Sequence, residues 1–419
     1  MGVKMFKIKN FKLLFSGKLL THLGDALLNI TLPWYILDRS GSALSMSLYL
    51  SVGTFSYLFF AVYASRFINK VNIVKLLYIP DLTRGFFMIA LLFVLNLNLD
   101  FNIEFYFILL TSIILNSSSA ISGPSAITIV PSLVDKNFLN KANSYLSMTE
   151  STSSIIGIIF GVIAYNFYQL RIIVLVSSVF YITAALLVMF IRPALSVDSK
   201  SSDVDTSILK IMKSIRMNKI IFALVVFALT WNFIYFPIFA IYVPFTINDV
   251  LELDLQYFAL IQIGSLMGVM VGAVFASRRR VARNILNFLR FIVTLQLPMF
   301  ALLLVFNIVL GNKIDTHLIP VLSAFTFFFL GITASYVSIN ITFYIQTKSK
   351  PSILAGVNLA RSMLSKGSMA ISLLVFGLLV DSAGIGLSYF VNIALFTLLV
   401  IFMNISKKIK ISGVESDEF

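Results

Sequence analysis

Four residues near the start of the chain combine types and spacing suited to moving a proton. Lys18, His22, Asp25 and Asn29 recur every three or four positions. At about 100° per residue they fall within roughly 60° of one helix face. The stripe sits in an otherwise apolar run, so it faces a cavity or a partner rather than lipid. Asp25 lies near the middle of that run. A carboxyl there stands between burial, which disfavours charge, and a basic neighbour such as Lys18, which favours it. So balanced, it can load and release a proton. The plainer alternative is a permanent pair that holds helices together.

Other charged residues extend this set. Asp81 and Arg84 are three apart, share a helix face and read as an ion pair near the cytoplasmic end of their helix. Glu150 stands among Ser and Thr between 147 and 154, a site for a proton or a cation. Arg361 and Lys366 lie in a late apolar run, and Lys366 is too deep to reach the interface with ease. Acidic Asp25, Asp81 and Glu150 in the first half, facing basic residues in the second, would lock the halves until protonated. Asp25, Glu150 and Asp81 are therefore the proton-coupling candidates. Lys18, His22, Asn29, Trp34, Trp231, Asn232, Arg361 and Lys366 are the candidates to line a cavity or bind cargo.

Reactive constellations of other kinds are missing from the sequence. It holds no Cys and two His, which excludes thiolate chemistry and a His-rich metal site. No Gly-rich phosphate loop ends in Lys-Ser or Lys-Thr. An enzyme is not expected, and no cofactor beyond a proton gradient.

The elements that position these residues are membrane helices. The chain has 419 residues, 59% hydrophobic and 12% charged, with mean hydropathy +0.96. Each span needs roughly 20 apolar residues, so twelve need roughly 240, which this composition supplies. Apolar segments predict spans near 13–37, 44–66, 74–96, 105–127, 143–166, 171–191, 219–245, 255–276, 285–309, 318–342, 353–380 and 387–404. Asn116, Ser117, Ser118, Ser119 and Pro124 interrupt the fourth. The apolar run after Lys4, Lys7, Lys9 and Lys12 is too long for a cleaved signal and is expected to stay as the first span.

The net charge of +14 is a topology signal rather than a nucleic-acid footprint. With both termini in the cytoplasm, about 24 of the 32 Lys and Arg fall in cytoplasmic loops. A repeat supports two halves. Ala61-Val62-Tyr63-Ala64-Ser65-Arg66 matches Ala273-Val274-Phe275-Ala276-Ser277-Arg278 half a chain later. The expected organisation is a first bundle over 1–192, a linker over 193–218, a second bundle over 219–405 and a tail over 406–419. Gly157 and Gly161, and Gly264, Gly268 and Gly272, are spaced by four for close helix packing.

Three stretches resemble the major facilitator superfamily, and its macrolide-efflux-like drug:proton antiporter branch in particular. The first runs from Leu23-Gly24-Asp25-Ala26 through Leu32-Pro33-Trp34-Tyr35 to Ser40-Gly41-Ser42-Ala43. The second is Gly123-Pro124-Ser125-Ala126 with Pro131-Ser132-Leu133-Val134 and Ala142-Asn143. The third is Gln346 and Lys350-Pro351 followed by Gly356. The resemblance implies an all-α integral membrane fold, twelve transmembrane helices in two pseudo-symmetric six-helix bundles. It implies gating loops at Ser65, Arg66, Asn69 and Lys70 and at Arg278, Arg279 and Arg280. The first of these departs from the usual charged motif, with Asn69 and Lys70 in place of Asp and Arg. The Gly-Pro pair of the antiporter signature is also absent, since Gly157 precedes Ile158.

The implied function is export of an amphipathic, drug- or macrolide-like small molecule from a bacterial cytoplasmic membrane by proton antiport. A dedicated exporter of a siderophore, peptide or lipid-linked metabolite is the alternative, and a non-transporting ligand-sensing or immunity protein is another. The expected partners are the small-molecule substrate and the lipid bilayer, with no nucleic acid and a monomeric state.

Overall fold

In the computed structural model, the described residues are 9–68, 71–97, 99–135, 138–192, 216, 218–278, 285–305, 315–348 and 351–405. They are helical almost throughout. α1 is Lys9–Ser40, α2 Ala43–Ile68, α3 Lys75–Asn96 and α4 Phe101–Ile129. A helical run Leu139–Met189 is broken at Gln169 (φ 59°, ψ −172°), which makes α5 (139–168) and α6 (170–189). α7 is Lys219–Pro237 and continues through π-helical turns around Pro237 and Pro244 to Val250. α8 is Leu255–Arg278, α9 Ile285–Leu304 and α10 Leu318–Lys348. The run Pro351–Ile405 is broken at Gly384 (φ 82°, ψ 160°), which makes α11 (351–383) and α12 (385–405). Gly384 suits that left-handed backbone because it has no Cβ.

Nine of the described helices are long and apolar enough to cross a membrane. Two of the nine, of 48 and 46 residues, contain the breaks and span twice. α1 falls outside the nine because its polar stripe dilutes its apolarity. The sum is twelve spans in the order read from the sequence. The fourth span is one unbroken helix despite its polar run. Asn116, Ser119, Ser125 and Thr128 each donate to the carbonyl four residues back, which satisfies them inside the helix.

The halves repeat their packing. In the first, Gly53 of α2 meets Ser112 and Asn116 of α4, and in the second Gly264, Gly268 and Gly272 of α8 meet the backbone of α10 at Ala324, Phe328 and Ile332. Gly157 and Gly161 of α5 let α1 approach at Ala26 and Ile30. α1 also touches α6, where Gly24 lies against the Tyr181 ring. Both glycine stripes are therefore packing surfaces, where a missing Cβ lets two backbones meet.

Across the halves, α2 packs on α11 and α5 on α8. Several contacts between the halves lie at one end, called here the seam end. There Trp34 stacks on Phe258 with ring centroids 6.0 Å apart, and Asn248 donates to Asp38 at 3.4 Å. The start of α1 and the finish of α12 lie at the opposite, terminus end. Asn69, Lys70, Arg279, Arg280, most of the 193–218 linker and the 406–419 tail lie outside the described residues. Ser65, Arg66 and Arg278 lie at the ends of α2 and α8.

Candidate functional site

A cavity of about 510 Å³ opens in the first half. Its walls come from the start of α1, the finish of α4 and the start of α5, so it lies toward the terminus end. Lys18, His22, Asp25, Tyr57, Arg84 and Glu150 line it, with Ser119, Ser122, Asn143 and Ser147. The stripe periodicity on α1 explains the first three: one helix face turns them inward together.

At the cavity floor is a buried charge cluster. Arg84 lies 3.5 Å from Asp25 and 3.4 Å from Asp81. It also donates to the Leu115 carbonyl at 3.1 Å and to the Ser119 hydroxyl at 2.5 Å. The Tyr181 hydroxyl donates to Asp25 at 2.7 Å, and Thr21 donates to Asp81 at 3.0 Å. The two carboxylates differ in access: the Asp25 side chain is 25% exposed and that of Asp81 only 1%. Both ion pairs of this cluster lie within the first half.

This corrects the expected lock between the halves. Asp25 and Asp81 share the Arg84 guanidinium of their own bundle, because α1, α3 and α6 pack side by side there. Arg84 also takes the part expected of Lys18 as contact partner of Asp25. Lys18 is 4% exposed, lines the cavity and is in no ion pair among the described residues. Glu150 is exposed on the cavity wall.

Lys366 reaches the first half by another route. Its ammonium stands 3.4 Å from the ring centroid of Tyr57, a cation–π contact between α11 and α2 at the cavity edge. Arg361 instead donates to Thr342 at 3.3 Å, within the second half. Trp34 is buried in the seam, and Trp231 stacks with Phe227 and Tyr235 in the second bundle's core. Asn232 bonds back to Ala228, and Asn29 is exposed. None of these five lines the cavity. Tyr57, Thr21 and Tyr181 were not singled out from the sequence, and Ser119 was read only as an interruption of the fourth apolar run. Each is a common residue in an apolar helix, and only its neighbours give it a role.

The sequence profile of the Major Facilitator Superfamily matches residues 14–371. The chain belongs to that family. It is 22% identical over 282 residues to macrolide efflux protein A of Streptococcus pyogenes, covering 64% of this chain and 67% of that protein. The nucleoside transporter NupG superposes with a TM-score of 0.74 at 12% identity, over 95% of this chain and 99% of that one. A bacterial homologue of the iron transporter ferroportin gives 0.72 in its inward-facing state, at 13% identity over 95% and 98% of the two chains. In its outward-facing state it gives 0.57, at 13% identity over 95% and 99%. The helix arrangement is thus nearer the inward-facing one. The protein is a multi-pass membrane transporter of this superfamily rather than an enzyme, and its substrates are small molecules.

Proposed function

We propose that the protein exports an amphipathic small molecule from the bacterial cytoplasm or inner leaflet by proton antiport, with Asp25 as the proton site. The observation that carries this is the asymmetry around Arg84. Of its two carboxylates, only Asp25 reaches the cavity. Lys18 and Arg84 balance Asp25 and Asp81 when all four are charged. A proton on Asp25 leaves that cluster with one excess positive charge. That charge repels a basic group on a cargo in the same cavity, so proton and cargo exclude one another. Mutual exclusion is what antiport requires.

The Lys and Arg bias supports a cytoplasmic terminus end. The cavity then opens inward and the seam closes the outside, the state in which an exporter collects cargo. Similarity to a macrolide efflux protein supports export. The protein acts as a monomer in this reading, since one chain supplies both bundles.

The test uses purified protein in liposomes with an imposed pH gradient and a fluorescent cationic amphiphile. Movement should require the gradient, and Asp25→Asn should abolish the coupling. Movement without the gradient refutes antiport, and coupled transport by Asp25→Asn removes Asp25 from its role. A second reading, a dedicated exporter of an acidic metabolite, is favoured by the unpaired Lys18 ammonium. An anionic amphiphile of the same body, moved in preference to the cationic one, would decide for it.

A further inference from the structure

The first backbone N–H groups of a helix have no partner within that helix. In α2 two of them are taken by the other half of the protein. The carboxylate of Asp381, on α11, accepts from the backbone N–H of Ala43 at 2.8 Å and of Leu44 at 3.2 Å. The Ser42 hydroxyl donates to the same carboxylate at 2.5 Å. α2 also has an ordinary cap of its own, since the Ser42 side chain accepts from the Ser45 N–H at 3.0 Å. The contact from Asp381 is therefore additional to what the helix needs to begin.

The two helices close on one another below this point. Gly377, one turn before Asp381, lies so near Ser47 and Ala43 that a Cβ there would collide with the Ser47 side chain. Further along, the Ser51 hydroxyl donates to the Ala370 carbonyl at 3.0 Å. Residues 381, 377 and 370 of α11 thus run antiparallel along 43, 47 and 51 of α2. Alternating access must separate α2 from α11 at the seam end. That movement strips the Asp381 carboxylate from α2 and leaves the Ser42 cap in place, so the helix survives while the contact is lost.

We propose that Asp381 is the latch of the seam. It is a positioning residue that holds the halves together at that end and populates the arrangement with the cavity open at the other. The carboxylate couples a charge to a helix N-terminus, where the exposed amides and the helix dipole both favour an anion. Asp381 touches neither the cavity nor the charge cluster. Its role rests on the superfamily's two-state movement and is independent of which cargo or ion is carried.

The chain has no Cys, so reporter cysteines can be added without background. One pair of spin labels, at Leu97→Cys and Leu318→Cys, spans the halves at the seam end, where both residues are exposed. A second pair, at Val71→Cys and Ile405→Cys, spans the terminus end. Distances are read by pulsed electron resonance on the full chain in lipid nanodiscs. Asp381→Ala should raise the long-distance seam population about tenfold relative to the parent, as expected for loss of charge-assisted hydrogen bonds. The terminus pair should shorten in step. Asp381→Asn keeps an acceptor oxygen without the charge and should shift the populations less, in the same direction. A purely structural role would broaden both distributions without this reciprocity. Unchanged populations in folded Asp381→Ala would overturn the latch. If that variant does not fold, unchanged populations in Asp381→Asn overturn it. Failure of gradient-driven transport in liposomes would leave these distances untouched, so the two readings fail separately.

Discussion

Arg84→Gln tests whether the cluster under the cavity is held by charge. The guanidinium is 1% exposed and is shared by Asp25, Asp81, the Leu115 carbonyl and Ser119. Its removal takes the ion-pair partner from Asp81, which is equally buried and keeps the Thr21 hydroxyl as a donor. Breaking a buried pair by deleting one partner costs about 3–5 kcal/mol. Asp25 is less affected, because it is a quarter exposed and retains the Tyr181 hydroxyl. The loss should therefore come mainly through Asp81. Adding Asp81→Asn removes the stranded charge and should recover about 1–3 kcal/mol, the range of coupling between residues in one network. The assay is reversible unfolding in detergent, followed by the fluorescence of Trp34 and Trp231. These are the two tryptophans, and both are buried. An Arg84→Gln variant within about 1 kcal/mol of the parent would refute the charge argument. So would a double variant no more stable than Arg84→Gln alone, since Asp81 would then carry no uncompensated charge.

Two further outcomes follow from packing. Gly268→Leu should abolish stable folding, because any Cβ there meets the Phe328 carbonyl, whereas Gly123→Ala should hold or gain about 0.5–1 kcal/mol, since nothing lies within 4 Å of its added methyl. Equal unfolding midpoints for the two variants would contradict this. Lys366→Met should lower stability by about 0.5–2 kcal/mol through loss of the Tyr57 contact, and Lys366→Arg should keep it. Equal losses in Met and Arg variants would assign the effect to packing rather than to charge over the ring.

Much of the architecture was legible in the chain because it is local. A span declares itself by the length of an apolar run, and a polar face by helical period, so twelve spans and the Lys18–His22–Asp25 stripe could be read directly. The seven-residue proximity of Lys18 to Asp25 also suggested a pair, and there local reading failed. Arg84 is the partner that reaches Asp25, because α1 at Gly24 and α3 at Gly85 both pack on α6, which brings the guanidinium between two carboxylates. The same limit applies to Tyr181, 156 positions from the carboxylate it bonds, and to Trp34, whose burial in the seam depends on Phe258 of the other half.

The sequence by itself determined a membrane-embedded helical protein of two related halves, the superfamily, and the helix face on which charge collects. Those follow from hydropathy, period and motif, which need no knowledge of neighbours. Only the tertiary structure decided which charges meet, that one of two acidic residues opens to the cavity, and that Asp381 caps α2 from 338 positions away. The reason is geometric. A side chain acts over a few ångströms, and which groups come within that reach is set by how twelve helices pack.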